Sequence, residues 1–423
     1  MSGLSRRRIV LGVAALGLSV GASQPTFAGS NTENRNERAA FTAGEAASAR
    51  PSGLRQPVRI AGDDPKGFQA LIDAAPAASE PWLVLSGGGE NGAFAAGLLS
   101  GWSEAGTRPA FGVITGVSTG ALIAPFAFVG AAGNGPLREA YTTISAADVF
   151  EFGGSDVALT DTWPLKRRID RAVTLPLLKA IAAEHAKGRR LLVATTEIDT
   201  ERPVLWDMGA IATIGGEKGL ALFRQIVLAS SAVPGIFPPV TIEATTSDGR
   251  TGQTKDIQEM HADGGTTAPF YLAPKSALIA SLTGSGGVRI PARTVYLVVN
   301  NTSAPYFQMA SRTTLSVLGR SMSAAIKAQT QDALALAGAF ARREGLDLQV
   351  AEIDGRFKET SPAPFDQRYM RALFAHAEKL GRAGSAFSSP AGALAQGRDV
   401  PTGSVGSAAP MPGPAAQQAF ARR

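Results

Sequence analysis

The chain has no cysteine, three histidines, few aromatic residues and little excess charge, and each shortage removes a class of function. Without cysteine there is no disulfide, no thiolate nucleophile and no cysteine-ligated metal or iron–sulfur centre. His185, His261 and His376 are scattered and form no recognisable zinc or iron ligand set; no EF-hand loop is present, and neither a metal nor a cofactor is expected. The formal charge is only +6 in 423 residues, and Arg6, Arg7 and Arg8 supply half of it. No basic cluster with interleaved aromatics supports nucleic-acid binding. The uncharged apolar stretch Ile9 to Ala22 falls short of the about 20 residues a membrane-spanning helix takes.

What remains is a chain that is 44% hydrophobic and long enough to bury a large core without staples. Arg6-Arg7-Arg8, the apolar stretch and the small residues Thr26 and Ala28 read as a cleavable export signal over residues 1–28. Ser5-Arg6-Arg7 also suits the twin-arginine route. The expected location is therefore outside the cytoplasm: periplasmic, secreted or peripheral to the cell envelope. Residues 29–78 open on a polar, aperiodic stretch that reads as a flexible leader, and the Ala/Gly/Pro-rich residues 384–423 read as a disordered tail.

Between them, over residues 79–383, strand and helix signals alternate. Strand patterns lie at Trp82 to Leu85, Phe111 to Thr115, Leu191 to Thr195, Val204 to Trp206, Thr294 to Val299 and Leu346 to Ile353. Helical patterns lie at Gly92 to Trp102, Leu220 to Ser230, Thr313 to Arg343 and Phe365 to Leu380. The alternation predicts an α/β domain, a mostly parallel sheet covered by helices on both faces.

Two glycine motifs carry the chemistry. Gly116-Val117-Ser118-Thr119-Gly120 follows an apolar strand pattern and opens an apolar helical one, which is the setting of a nucleophile elbow. Ser118 is the candidate nucleophile, with Gly116 and Gly120 removing side chains that would clash in the turn. Gly87-Gly88-Gly89-Glu90-Asn91-Gly92 lies between the first strand and its helix, where backbone N–H groups and the helix dipole favour negative charge. A dinucleotide loop requires an acidic residue at the end of the next strand, and here that strand ends Ile114-Thr115-Gly116. A P-loop requires Lys and Ser/Thr after the last glycine, and Ala93 and Phe94 stand there. An oxyanion hole for acyl transfer remains, beside the plainer reading of a glycine loop that permits tight packing.

Ser118 needs a base. His185 lies in what reads as a solvated helix end, and His376 on a charged helical surface. His261 shares a strand face with Asp263, yet it is the carboxylate that stands at the turn, in Met260-His261-Ala262-Asp263-Gly264-Gly265. Asp-Gly is also a common turn, so this segment alone decides nothing.

Taken in order, G-G-G-x-x-G, then G-x-S-x-G, then D-G-G resemble the patatin-like phospholipase family. The segments Ala229 to Pro239 and Phe365 to Arg371 are similar to that family too, and the likeness spans roughly residues 80–382. The resemblance implies a three-layer α/β/α fold and a Ser–Asp dyad without histidine, with Ser118 as nucleophile and Asp263, at the Gly264-Gly265 turn, as base. It implies an oxyanion hole over Gly87 to Gly92, with Gly88, Gly89 and Glu90 as main-chain donors, and it implies phospholipid or another acyl lipid as substrate at a lipid interface. The family carries Arg or Lys where this chain has Asn91, so a weak or inactive lipid- or protein-binding module is the alternative. Phe94, Leu122, Pro234, Phe237 and Pro238 are candidates for an acyl pocket or for the core.

Overall fold

The computed structural model describes residues 38–391 apart from 55, 156, 248–252, 306, 308 and 362. The expected export signal, the first part of the leader and the tail from 392 onward lie outside the described residues. Within them the chain forms a ten-stranded sheet and a separate two-stranded hairpin. In chain order the strands are β1 (Arg50–Pro51), β2 (Arg59–Ala61), β3 (Trp82–Leu85), β4 (Val113–Val117), β5 (Glu151–Ser155), β6 (Ala158–Asp161), β7 (Arg190–Glu197), β8 (Arg202–Asp207), β9 (Val240–Ser247), β10 (Thr254–Asp263), β11 (Thr294–Val299) and β12 (Asp347–Glu352).

The centre of the sheet is parallel, in the order β7-β4-β3-β11-β12, and β9, β10, β8, β2 and β1 extend it with antiparallel pairings. Strands buried on both faces read as unbroken apolar runs, which is why Trp82-Leu83-Val84-Leu85 shows no alternation. The two faces nevertheless separate cleanly. Leu83, Leu85, Ile114, Leu191 and Val193 pack under the helices Gly92–Glu104, Thr119–Phe128, Gly216–Ser230 and Gln367–Ala383. Trp82, Val84, Val113, Val117 and Leu192 pack under Pro65–Asp73, Lys275–Thr283 and the second half of Thr314–Glu344. Each face thus takes every second residue, and the result is the expected α/β/α layering.

Residues 43–78 differ from the flexible leader that the sequence suggests. A capping box of Thr42 and Glu45 starts a helix, Ala43–Ser48; β1 pairs with β9, β2 pairs with β8, and Asp64 caps the helix Pro65–Asp73, which buries Phe68 and Ile72. The guanidinium of Arg59 grips Glu259 of β10 bidentately and lies over Trp206. Strands of two and three residues at a sheet margin are too short to show a hydrophobic period, so composition alone misread them. At the other end, Ser388 pairs with Val350 and Phe387 packs edge-on against Tyr296 and tilted against Trp102, so the start of the expected tail is held in place.

The register of β7 positions the site. Its residues Arg190 to Ala194 pair with β4, and along the same edge Thr195 to Glu197 pair with β10. Because β4 runs parallel and β10 antiparallel to β7, their C-terminal ends converge. Val117 lies opposite Ala194, and Asp263 opposite Thr195.

Candidate active site

Ser118 follows Val117 directly and takes φ +55° and ψ −124°, a backbone conformation that costs about 1–3 kcal/mol for a side chain-bearing residue. The neighbours hold it there. Its N–H donates to Ser230 Oγ at 3.0 Å, and that hydroxyl donates to the Ala194 carbonyl at 2.7 Å. Its carbonyl accepts from the Ala121 N–H at the start of the next helix. A Cβ on Gly116 would lie 2.5 Å from the Gly120 carbonyl oxygen, and one on Gly120 would lie 2.4 Å from the Leu85 carbonyl oxygen. Both elbow glycines are required by close approach of backbone.

The side chain turns back toward β10, and Ser118 Oγ donates to Asp263 Oδ2 at 2.6 Å. The other carboxylate oxygen, Oδ1, accepts from the Gly265 N–H at 2.6 Å, while the backbone of Asp263 is tied to the Ala232 carbonyl and to Thr196 Oγ1. A Cβ on Gly264 would strike the Ala194 carbonyl oxygen at 2.4 Å, so the turn also needs its first glycine. Asp263 is 4% exposed. Burial opposes its charge more than the hydrogen bonds from Ser118 and Gly265 favour it, and its pKa is pushed up to about 7. A carboxyl raised to that value is a competent proton acceptor near neutrality.

The glycine loop lies against the same serine. A Cβ on Gly87 would sit 3.1 Å from Ser118 Cβ. Gly88 has φ +157° with its α-carbon pressed on Asn300, and Gly89 has φ +57°. The Gly87 N–H is occupied by the Pro269 carbonyl and the Asn91 N–H by that of Gly88, so neither is a free donor. The N–H groups of Gly88 and Gly89 find no acceptor among the described residues. The Glu90 carboxylate accepts from the Phe365 N–H, and burial raises its pKa. The Asn91 amide oxygen accepts from Tyr369 Oη at 2.7 Å. Gly92 starts the helix, where a Cβ would meet Thr119 Oγ1 and the Tyr141 ring.

No histidine joins this group. His261 is fully buried; its Nδ1 meets Thr195 Oγ1 at 3.0 Å and its Nε2 faces Glu259 at 3.4 Å, so it belongs to the Arg59–Glu259 cluster and not to Asp263. Burial lowers its pKa against the opposing pull of Glu259. His185, expected to be solvated, is half-buried, 3.7 Å from Asp207. His376 rests partly exposed on Phe357. Of the pocket candidates, Pro234 and Phe237 line a cavity of about 250 Å³ with Val157, Ile198, Ala232 and Ala262, the last two adjoining Asp263. Phe94 is wholly buried core, and Leu122 packs beside that core.

Residues 83–274 match the patatin-like phospholipase family model. The match contains the glycine loop, Ser118 and Asp263, and that family implies lipid acyl hydrolase activity. The chain is similar to the crystal structure of VipD from Legionella pneumophila, with 12% identity, a TM-score of 0.36 and coverage of 73% of this chain and 67% of that one. No curated protein matches the sequence.

Two positioning residues escape sequence reading. Ser230 holds the elbow amide, and Asn300 joins three elements. The Asn300 side chain donates to the Ser86 carbonyl and accepts from the Ala95 N–H, and its backbone N–H donates to Ser86 Oγ. The available signal was a polar residue at the carboxyl end of an apolar strand in a parallel sheet, where such sheets build their sites. Asn300→Leu removes the side-chain donor to the buried Ser86 carbonyl and the second acceptor of the Ala95 N–H. Urea unfolding is expected to show a loss of about 1–3 kcal/mol.

Proposed function

We propose that this chain is a serine lipid acyl hydrolase of the phospholipase A or lysophospholipase type, working through a Ser118–Asp263 dyad and an acyl-enzyme. The observation that carries the reading is the 2.6 Å hydrogen bond from Ser118 Oγ to a buried Asp263 whose pKa is raised to about 7. Asp263 takes the serine proton as Oγ attacks the ester carbonyl. The negative charge on the carbonyl oxygen is met by the main-chain N–H groups of Gly88 and Gly89. Asp263 then delivers the proton to the departing alcohol or lysolipid, accepts one from water as that water attacks the acyl-enzyme, and returns it to Ser118 as the fatty acid leaves.

The apolar cavity beside Asp263 favours an acyl chain, and the family match favours phospholipid over other esters. With Asn91 held by Tyr369 in place of a cation, stabilisation of the oxyanion falls to neutral donors. The arginine run and apolar stretch at the N-terminus support an exported enzyme. A fluorophosphonate probe tests the central claim. A covalent adduct mapped by mass spectrometry to the peptide bearing Ser118, lost in Ser118→Ala, is the expected result. A folded protein that takes no label and releases no fatty acid from phospholipid is instead a binding module.

A further inference from the structure

The Gly88 and Gly89 N–H groups lie in a stretch of the glycine loop with little support of its own. Gly89 is exposed, and nothing lies within 4 Å of where a side chain on it would begin. Two adjacent glycines leave that peptide free to turn unless its flanks hold it. Upstream the hold is made by backbone: the Gly87 N–H donates to the Pro269 carbonyl, and Gly88 presses on Asn300. Downstream it is made by two consecutive side chains. The Glu90 carboxylate accepts from the Phe365 N–H, and the Asn91 amide oxygen accepts from Tyr369 Oη at 2.7 Å.

Both of those partners stand at the start of the helix Gln367–Ala383, which Asp366 caps by accepting from the Tyr369 N–H at 2.9 Å. Phe365, just before the cap, has φ +55°, a left-handed conformation uncommon for a residue with a side chain. In that turn its N–H meets Glu90 while its ring packs edge-on against Phe150. The helix is locked in turn to Gly92–Glu104, the helix that the glycine loop opens. A Cβ on Gly97 would strike the Phe374 carbonyl, one on Gly101 the Glu378 carbonyl, and one on Gly381 the Leu98 carbonyl. Gly97 meeting Phe374 and Gly101 meeting Glu378 means that the two helices run in the same direction, backbone against backbone. Their N-terminal ends therefore meet at the loop, and Glu90 and Asn91 tie the loop to a close-packed pair.

We infer that Glu90 is a positioning residue for the proposed hydrolysis: its carboxylate, holding the Phe365 N–H while Tyr369 holds Asn91, keeps the Gly88 and Gly89 N–H groups aimed at the oxyanion. The inference rests on the proposed hydrolase reading and adds a side-chain clamp to its main-chain donors. Burial, together with the charge of Asp366, raises the pKa of Glu90, and hydrogen bonds from Ser361 and Phe365 oppose the rise. What the clamp requires of Glu90 is an acceptor oxygen at that place. Glutamine supplies one without a charge facing Asp366, and alanine supplies none.

The test compares the starting protein, Glu90→Ala and Glu90→Gln in hydrolysis of a short-chain nitrophenyl ester. A trifluoromethyl ketone serves as inhibitor, because its adduct with a serine bears the same oxyanion. Glu90→Ala should lower kcat by about tenfold to a hundredfold with KM little changed, since a loosened donor weakens binding of the oxyanion and not of the ester. The inhibition constant of the ketone should rise by the same factor. Glu90→Gln should recover most of both losses, and melting curves on each variant separate positioning from loss of fold. If Glu90→Ala melts early, Tyr369→Phe carries the test from the other arm of the clamp: removing the hydroxyl that holds Asn91 should lower kcat and ketone affinity together. Unchanged kcat in Glu90→Ala overturns the inference and leaves the Ser118–Asp263 reading standing. Ketone affinity that does not follow kcat, or a Glu90→Gln as slow as Glu90→Ala, overturns it in the same way. A starting protein that hydrolyses no ester and takes no fluorophosphonate label at Ser118 removes the hydrolase reading itself, and the clamp's role with it.

Discussion

Ser118→Ala is expected to lower kcat for a soluble nitrophenyl ester by about 10⁴-fold or more, and Asp263→Asn to lower it nearly as far. The double variant should be little worse than either alone, because a nucleophile and its base act as one unit. Both substitutions are close to isosteric, so loss of fold is not the expected cause; circular dichroism and a melting curve on each variant check this. The aspartate carries the sharper test. Ser118 sits in a strained elbow between two glycines, the setting proposed for a nucleophile, whereas an Asp-Gly-Gly turn occurs widely without catalysis. If Asp263→Asn keeps most of the activity, the 2.6 Å hydrogen bond only positions Ser118, and the proton must leave by water. His261 offers no escape route, since its ring nitrogens face Thr195 and Glu259.

The sequence made the centre of this molecule readable and its margins unreadable, for one physical reason. Strands such as Trp82–Leu85 and Thr294–Val299 are buried on both faces, so their identity is written in uninterrupted apolar residues. The elbow and the glycine loop were visible because close approach of backbone excludes every side chain at Gly88, Gly116 and Gly120, which leaves a mark in the sequence. Arg50–Pro51 and Arg59–Ala61 are held by hydrogen bonds to β9 and β8 and by the Arg59–Glu259 ion pair, partners 190 and more positions away in some cases, and nothing local records such a contact. The same holds within the site. Asn300 lies 214 positions from Ser86, and its role depends on β11 lying next to β3, which the order of strands along the chain does not reveal. The meeting of β4 and β10 along one edge of β7 is equally silent in sequence, although it is what brings Ser118 and Asp263 together.

Activity and stability should respond to pH in opposite directions through Asp263. The base must be ionised to take a proton, so kcat/KM for a soluble ester is expected to fall tenfold per unit below about pH 7 and to level off above it. An ordinary carboxylate would place that limb near 4. For stability, the folded protein holds this proton up to about pH 7 while the unfolded chain releases it near 4. Protons are therefore bound in excess by the folded state between those values, and stability falls as pH rises through that window. Above it, the folded protein bears the full cost of a buried ionised carboxyl, on the order of 4 kcal/mol. Asp263→Asn removes that cost while its amide can still donate to Ser118 Oγ and accept from the Gly265 N–H. The inactive variant should therefore melt several degrees higher than the starting protein at pH 8, and the gain should vanish at pH 4. Equal melting temperatures at both values would mean that Asp263 ionises as a solvated carboxylate does, and a dyad that depends on a raised base would lose its physical ground.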